Sequence, residues 1–142
     1  MAFANPEGAD VYPYKLIGSL LTRTERAFFI ALRMAAGQRY AVFPKVRLLD
    51  LCSGLDGWTD VAAFHHVSQK HVDFVLCDPN TFRPVLAVEL DDHSHTRART
   101  RARDRDKDRV LRTMGLGVYR QWVRPSYDPA AIARGIEDQL TQ

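Results

Sequence analysis

Apolar and polar residues alternate at two different periods along this chain. Residues 71–77, HVDFVLC, and 85–91, VLAVELD, alternate with a period of two, the signature of strands. Val72, Phe74 and Leu76 share one face of the first, and Leu86, Val88 and Leu90 share one face of the second. Both faces are wholly apolar and predict contact with a core. The opposite faces carry Asp73, Val75 and Cys77, and Val85, Ala87, Glu89 and Asp91. Asp78, Pro79 and Asn80 between them predict a turn, so the two strands form a hairpin. Tyr40 to Leu49 predicts an earlier strand, in which Pro44 implies an edge position or a bulge. Gly117 to Val123 predicts the last strand, ended by Pro125.

Elsewhere the spacing is helical. Leu21, Glu25, Phe28, Phe29, Leu32 and Ala35 recur at threes and fours, predicting a helix from about Thr22 to Ala36 with Gly37 as its stop. Residues 50–69 read as loop, with one or two helical turns between Thr59 and His66. A helix from about Arg101 to Met114 is stopped by Gly115 and Gly117. Asp128 or Pro129 starts a last helix to about Leu140, with Ile132, Ile136 and Leu140 as its stripe. The order helix, strand, strand, strand, helix, strand, helix predicts an α/β fold. Its core is a mixed sheet of about four strands flanked by helices. The hairpin is antiparallel, and the following helix allows a right-handed crossover to a parallel strand. Residues 1–19 read as an N-terminal arm, and residues 20–142 as one domain.

Composition narrows the classes. With 46% hydrophobic residues in 142, the chain can bury a core and is not a disordered type. The net charge is only +3, but Arg97 to Arg112 is strongly basic, which points weakly to an anionic partner, with a plain solvated basic face as the common alternative. Cys52 and Cys77 form no CxxC pair, so a zinc ribbon or finger is excluded, and Cys77 reads as a buried hydrophobe. The start, MAFANPEGADVYPYK, is not patterned as a secretory signal, and no apolar run approaches the roughly twenty residues of a membrane helix. The expectation is a reducing, cytoplasmic location without membrane contact.

Carboxylates are depleted in strands, yet Asp73, Glu89 and Asp91 sit on them. A turn centred near Thr81 would place Asp73 opposite Glu89 on one face, where like charges repel unless a cation lies between them. Glu25 has two readings. Thr22-x-x-Glu25 fits a capping box, the more frequent role, or Glu25 points over the sheet toward the carboxylates. Asp104, Lys107, Asp108 and Leu111 share one helix face, extended by Val110 and Met114. Lys107 is therefore either in a surface ion pair or reaches over the sheet edge. His93 and His95 lie near Glu89 and Asp91, whereas His65, His66 and His71 read as surface or hydrogen-bonding residues. Tyr119 and Trp122 could stack on bases or belong to the core.

The order of these residues resembles a known family. Asp73 in D-F-V, Glu89 and Asp91 in E-x-D, His95 four positions on, Asp104 and Lys107 in D-x-x-K, then Leu111, Gly115, Arg120 and Trp122 resemble the PD-(D/E)XK restriction-endonuclease-like superfamily. The similarity is greatest to its very-short-patch-repair-like branch, and to a bacterial domain family of unknown function assigned there. It covers about residues 20–123. The resemblance implies an αβββαβ nuclease-like core and metal-dependent phosphodiester cleavage, most readily of DNA. It implies Mg²⁺, with Mn²⁺ as an alternative, held by Asp73 and Glu89 with the Leu90 carbonyl in reach. His95 would move a proton or orient water, and Glu25 would approach the metal through water. The superfamily usually has lysine where Asp91 stands, so Lys107, or less readily Lys70, would supply the positive charge. Arg97, Arg99, Arg101, Arg103 and Arg120 would contact nucleic-acid phosphates. Two other readings stay open: a nuclease-fold module that binds nucleic acid without cleaving it, and a structural or protein-interaction domain whose carboxylates pair with Arg and Lys.

Overall fold

The computed structural model describes residues 12–92 and 98–142, with the backbone alone for residues 98–104. Its elements are α1 (Arg23–Ala36), β1 (Ala41–Arg47), a 3-10 turn (Leu48–Asp50), α2 (Val61–Ser68), β2 (His71–Cys77), β3 (Pro84–Asp91), α3 (Ala98–Thr113), β4 (Gly117–Trp122) and α4 (Pro129–Leu140). The four strands form one mixed sheet in the order β1-β2-β3-β4. β1–β2 and β2–β3 are antiparallel, and β3–β4, joined through α3, is parallel. The fold is α/β, as the element order predicts.

Local chemistry sets the boundaries. Thr22 caps α1: its hydroxyl accepts from the Glu25 N–H at 3.1 Å, and its own N–H donates to Glu25 Oε1 at 2.8 Å. Gly37, at φ 57°, ends the helix in a conformation that side chains disfavour. Asp128 caps α4 and Pro129 opens it. In the hairpin, Asp78 Oδ1 accepts from the N–H groups of Asn80 and Thr81, at 2.8 and 3.0 Å. That side-chain turn closes the loop between β2 and β3.

Several boundaries differ from the periodicity, two of them for reasons visible in the backbone or its caps. β1 stops at Arg47, because the Leu51 N–H turns back to the Leu48 carbonyl and starts the 3-10 turn. α2 begins at Val61, where the Asp60 side chain takes the Ala63 N–H. The backbone of α3 begins at Ala98, three residues before the expected start. Pro44 does lie on an edge strand, and beside it Lys45 has φ 52°. The β1–β2 ladder runs to Pro44↔Phe74 and resumes at Val46↔Val72.

The sheet buries both faces. On one, Phe28 and Leu32 of α1 and Ile132 and Ile136 of α4 pack on Phe74, Leu76, Leu86 and Val88. On the other, Leu111 and Leu116 join Leu48, Val67, Val75, Cys77 and Ala87. Cys77 is thus a core hydrophobe, as its pattern suggests. Val72 differs from expectation. It belongs to the second cluster rather than with Phe74, at the level where the β1–β2 ladder is interrupted.

α4 lies against β4 at Gly135. A Cβ there would meet Tyr119 Cε2 at 2.4 Å, and the Tyr119 hydroxyl is held by Gln121 Oε1 at 2.8 Å. Alanine is worth roughly 1 kcal/mol more than glycine within a helix. Overpacking costs about 1–3 kcal/mol and outweighs it here. Gly135→Ala is therefore expected to lower the unfolding midpoint in urea, and pairing it with Tyr119→Ala should remove the penalty attributable to the clash.

Candidate functional site

The β2–β3 ladder runs Leu76↔Leu86, Val75↔Ala87, Phe74↔Val88. The next residues across are Asp73 and Glu89, and there side chains replace the backbone ladder. The Leu90 N–H donates to Asp73 Oδ2 at 2.8 Å, and the Asp73 N–H donates to Glu89 Oε2 at 3.4 Å. Each carboxylate thus takes a backbone donor from the other strand. The opposition expected from a turn near Thr81 is what the register gives.

Glu89 is only 3% exposed, the one buried charged residue among those described. Burial raises its pKa first, and the adjacent Asp73 raises it further, while Lys107 opposes both; the result is about 8. Lys107 reaches in from α3, with Nζ 2.5 Å from Glu89 Oε1. The same ammonium donates to the His71 carbonyl at 3.3 Å. The Lys107 ammonium is thus the cationic partner of Glu89 Oε1, and it opposes the rise in pKa both through its charge and through a hydrogen bond. Of the two readings of Lys107, the one that reaches over the sheet is observed.

Other expected site residues stand apart. Asp91 accepts from Arg120 Nη1 at 2.9 Å, and Arg120 Nη2 donates to Asp108 at 2.6 Å. Burial disfavours the guanidinium charge, but Asp108 and Asp91 hold its pKa above the ordinary value. Arg120 is thus engaged by two carboxylates, with about a third of its side chain still exposed. Glu25 stays in its capping box, with Lys45 Nζ at 3.6 Å. Burial pushes its pKa up, but Thr22 and Lys45 together hold it below the ordinary value. It does not join the Asp73–Glu89 pair, in line with the capping reading. Tyr119 packs in the core, and Trp122 is 48% exposed. His93, His95 and Arg97 lie outside the described residues, as do the side chains of Arg99, Arg101, Arg103 and Asp104.

The sequence pattern missed a contact beside Lys107. Asp106 takes His66 Nε2 at 2.8 Å and Lys70 Nζ at 3.3 Å. His66 does act as a hydrogen-bonding residue, but its partner is forty positions away and no local spacing announces it.

Two carboxylates suit a Mg²⁺ ion, which is commonly held by one or two of them plus water and substrate phosphate. Glu89 Oε1 is buried and already faces one cation, the Lys107 ammonium, so its surroundings suit a positive group that shares or replaces that contact. Among the described residues, no group of three or more His, Cys, Asp or Glu side chains is placed to hold a metal. Among the described residues the donor set is therefore the pair.

A family model described as "Protein of unknown function (DUF2726)" matches residues 17–140. The chain belongs to the DUF2726 family. The match spans α1 through α4, so the paired carboxylates, Lys107 and Arg120 all lie within the DUF2726 domain. No curated protein and no solved structure matches the chain. Among the described residues, no helix is long and apolar enough to cross a membrane.

The electrostatics of Glu89 give this DUF2726 domain a definite pH response. A carboxyl whose pKa rises from its ordinary 4.5 to about 8 on folding binds its proton more tightly when folded. The folded state is then favoured most below pH 4.5 and loses stability as pH rises toward 8. Without added metal, Glu89→Gln is expected to be more stable than the wild type at pH 8, by on the order of 1–3 kcal/mol. The advantage should vanish by pH 4.5. Chemical denaturation across that range measures it, and equal pH slopes for the two proteins would contradict the account.

Proposed function

We propose that this domain is a Mg²⁺-dependent nuclease of the restriction-endonuclease-like superfamily, acting on DNA in the cytoplasm. The observation that carries the reading is the facing pair Asp73 and Glu89, whose buried Glu89 oxygen already meets a positive group, the Lys107 ammonium. The α/β architecture and the position of the pair on the central hairpin support it. Asp73 and Glu89 would hold Mg²⁺ or Mn²⁺. Bound there, the ion would polarise a scissile phosphate and lower the pKa of a bound water.

The chain's own residues do the rest. The backbone N–H of Leu90 holds Asp73 in place. Lys107 balances the charge of Glu89 and brings a positive group beside the reacting phosphate, the part usually taken by the lysine that Asp91 replaces. His95 serves as the proton carrier. Phosphate contacts fall to Arg97, Arg99, Arg101 and Arg103, since Arg120 is already bound to Asp91 and Asp108. A second reading, binding of nucleic acid without cleavage, is favoured by that same Asp91–Arg120 pair, which commits the acidic substitute to a structural contact.

Calorimetric titration with Mn²⁺ and Mg²⁺ tests the site. Asp73→Asn and Glu89→Gln are each expected to weaken binding more than about tenfold, because each removes one of only two charged ligands. Plasmid nicking should need the metal and fall about a hundredfold or more in Glu89→Gln. Metal binding that survives both substitutions sinks the proposal. Metal and DNA binding with no cleavage by the wild type selects the second reading.

A further inference from the structure

Three successive residues of α3 point three ways. Lys107 lies over Glu89. Asp106 pairs on one side with His66 of α2 and with Lys70, just before β2. Asp108 pairs on the other side with Arg120 of β4. Helical geometry separates neighbouring side chains by about 100°, so the two aspartates flank the lysine. A helix held on both flanks cannot roll about its axis, and roll is the motion that would lift Lys107 off Glu89.

The two flanks are unequal. On one flank Asp106, 37% exposed, meets two separate side chains, His66 at 48% and Lys70 at 26%, by one contact each. On the other, the single planar guanidinium of Arg120 spans Asp91 and Asp108, which are only 25% and 28% exposed. Arg120 is also the register partner of Glu89 on the neighbouring strand. It therefore ties α3 to the sheet at the level of the carboxylate that Lys107 must reach. One turn further on, Leu111 is fully buried in the core, so the helix has an apolar anchor just beyond the ionic one.

We propose that Arg120 is a positioning residue: by bridging Asp91 and Asp108 it fixes the roll of α3 and so seats Lys107 on Glu89. This rests on reading Asp73, Glu89 and Lys107 as the functional site, but its test needs no metal and no substrate. Arg120→Lys keeps the positive charge and cannot span both aspartates. It is made alone, with Lys107→Gln, and each is compared with the wild type by urea denaturation at pH 7. The effect of Arg120→Lys on the unfolding equilibrium constant is expected to be at least about threefold smaller in the Lys107→Gln background. The retained charge keeps any direct Arg120–Lys107 repulsion constant, so the coupling reports geometry.

The second readout is spectroscopic. The chain has four lysines, Lys15, Lys45, Lys70 and Lys107. The ¹³Cε signal of Lys107 is identified by its loss in Lys107→Gln. In Asp108→Asn, that signal is expected to move toward the position of exposed lysines while those of Lys15 and Lys45 stay. Equal effects of Arg120→Lys in both backgrounds, or an unmoved Lys107 signal in Asp108→Asn, would overturn the proposal. If Arg120→Lys does not fold, the same cycle is run with Asp108→Asn. A wild type that binds no metal but shows the coupling removes the nuclease reading and leaves the positioning role standing.

Discussion

A carboxylate cut off from water has to be balanced by its immediate neighbours, and Glu89 imposes that demand on the centre of the sheet. Its nearest acid, Asp73, makes matters worse. The available answers are a proton, a metal ion or an ammonium group; the raised pKa of about 8 keeps the first within reach, and the fold sets the last beside the carboxyl through Lys107. Much of the surrounding architecture follows from this. β2 and β3 exchange backbone ladder bonds for carboxylate contacts at the level of Asp73 and Glu89. α3 must lie across the sheet with Lys107 downward, which puts Leu111 into the core one turn later. Burying a charge is costly without a partner, which is why Glu89 and Lys107 come as a pair.

The hairpin was legible because period-two patterning and an Asp-Pro-Asn turn act over a few residues. The register placing Asp73 across from Glu89 follows from counting outward from Thr81, and the structure has it. The capping box at Thr22 and Glu25, and the Asp128–Pro129 start of α4, were legible for the same reason: each is complete within four residues. Lys107 was legible in part, since spacings of three and four place it on the face of Leu111.

What the sequence concealed depends on distant pairs. Arg120 meets Asp91 and Asp108, twenty-nine and twelve positions away, and nothing in a run of arginines says which one is already engaged. His66 and Asp106 are forty positions apart. The depth to which Glu89 is buried needs both layers of helices in place before it can be read. The turn of the chain at Lys45 is hidden for another reason: a lysine is not a residue that advertises positive φ. Assignment to the DUF2726 family adds no activity to this picture, so the chemistry rests on the residues themselves.

The interruption in β1 has a bearing on how the protein behaves in company. An outer strand with a regular row of free donors and acceptors invites pairing with another chain, and self-association begins there. β1 is such an outer strand, but Pro44 has no N–H to offer and Lys45 bends the backbone out of extended geometry while adding a charge. The row is broken at its middle. A second sheet approaching that side would find at most short segments to pair with, separated by a kink and an ammonium group. The two residues that make β1 irregular, Pro44 and Lys45, thus discourage fibre-like growth from this border of the sheet.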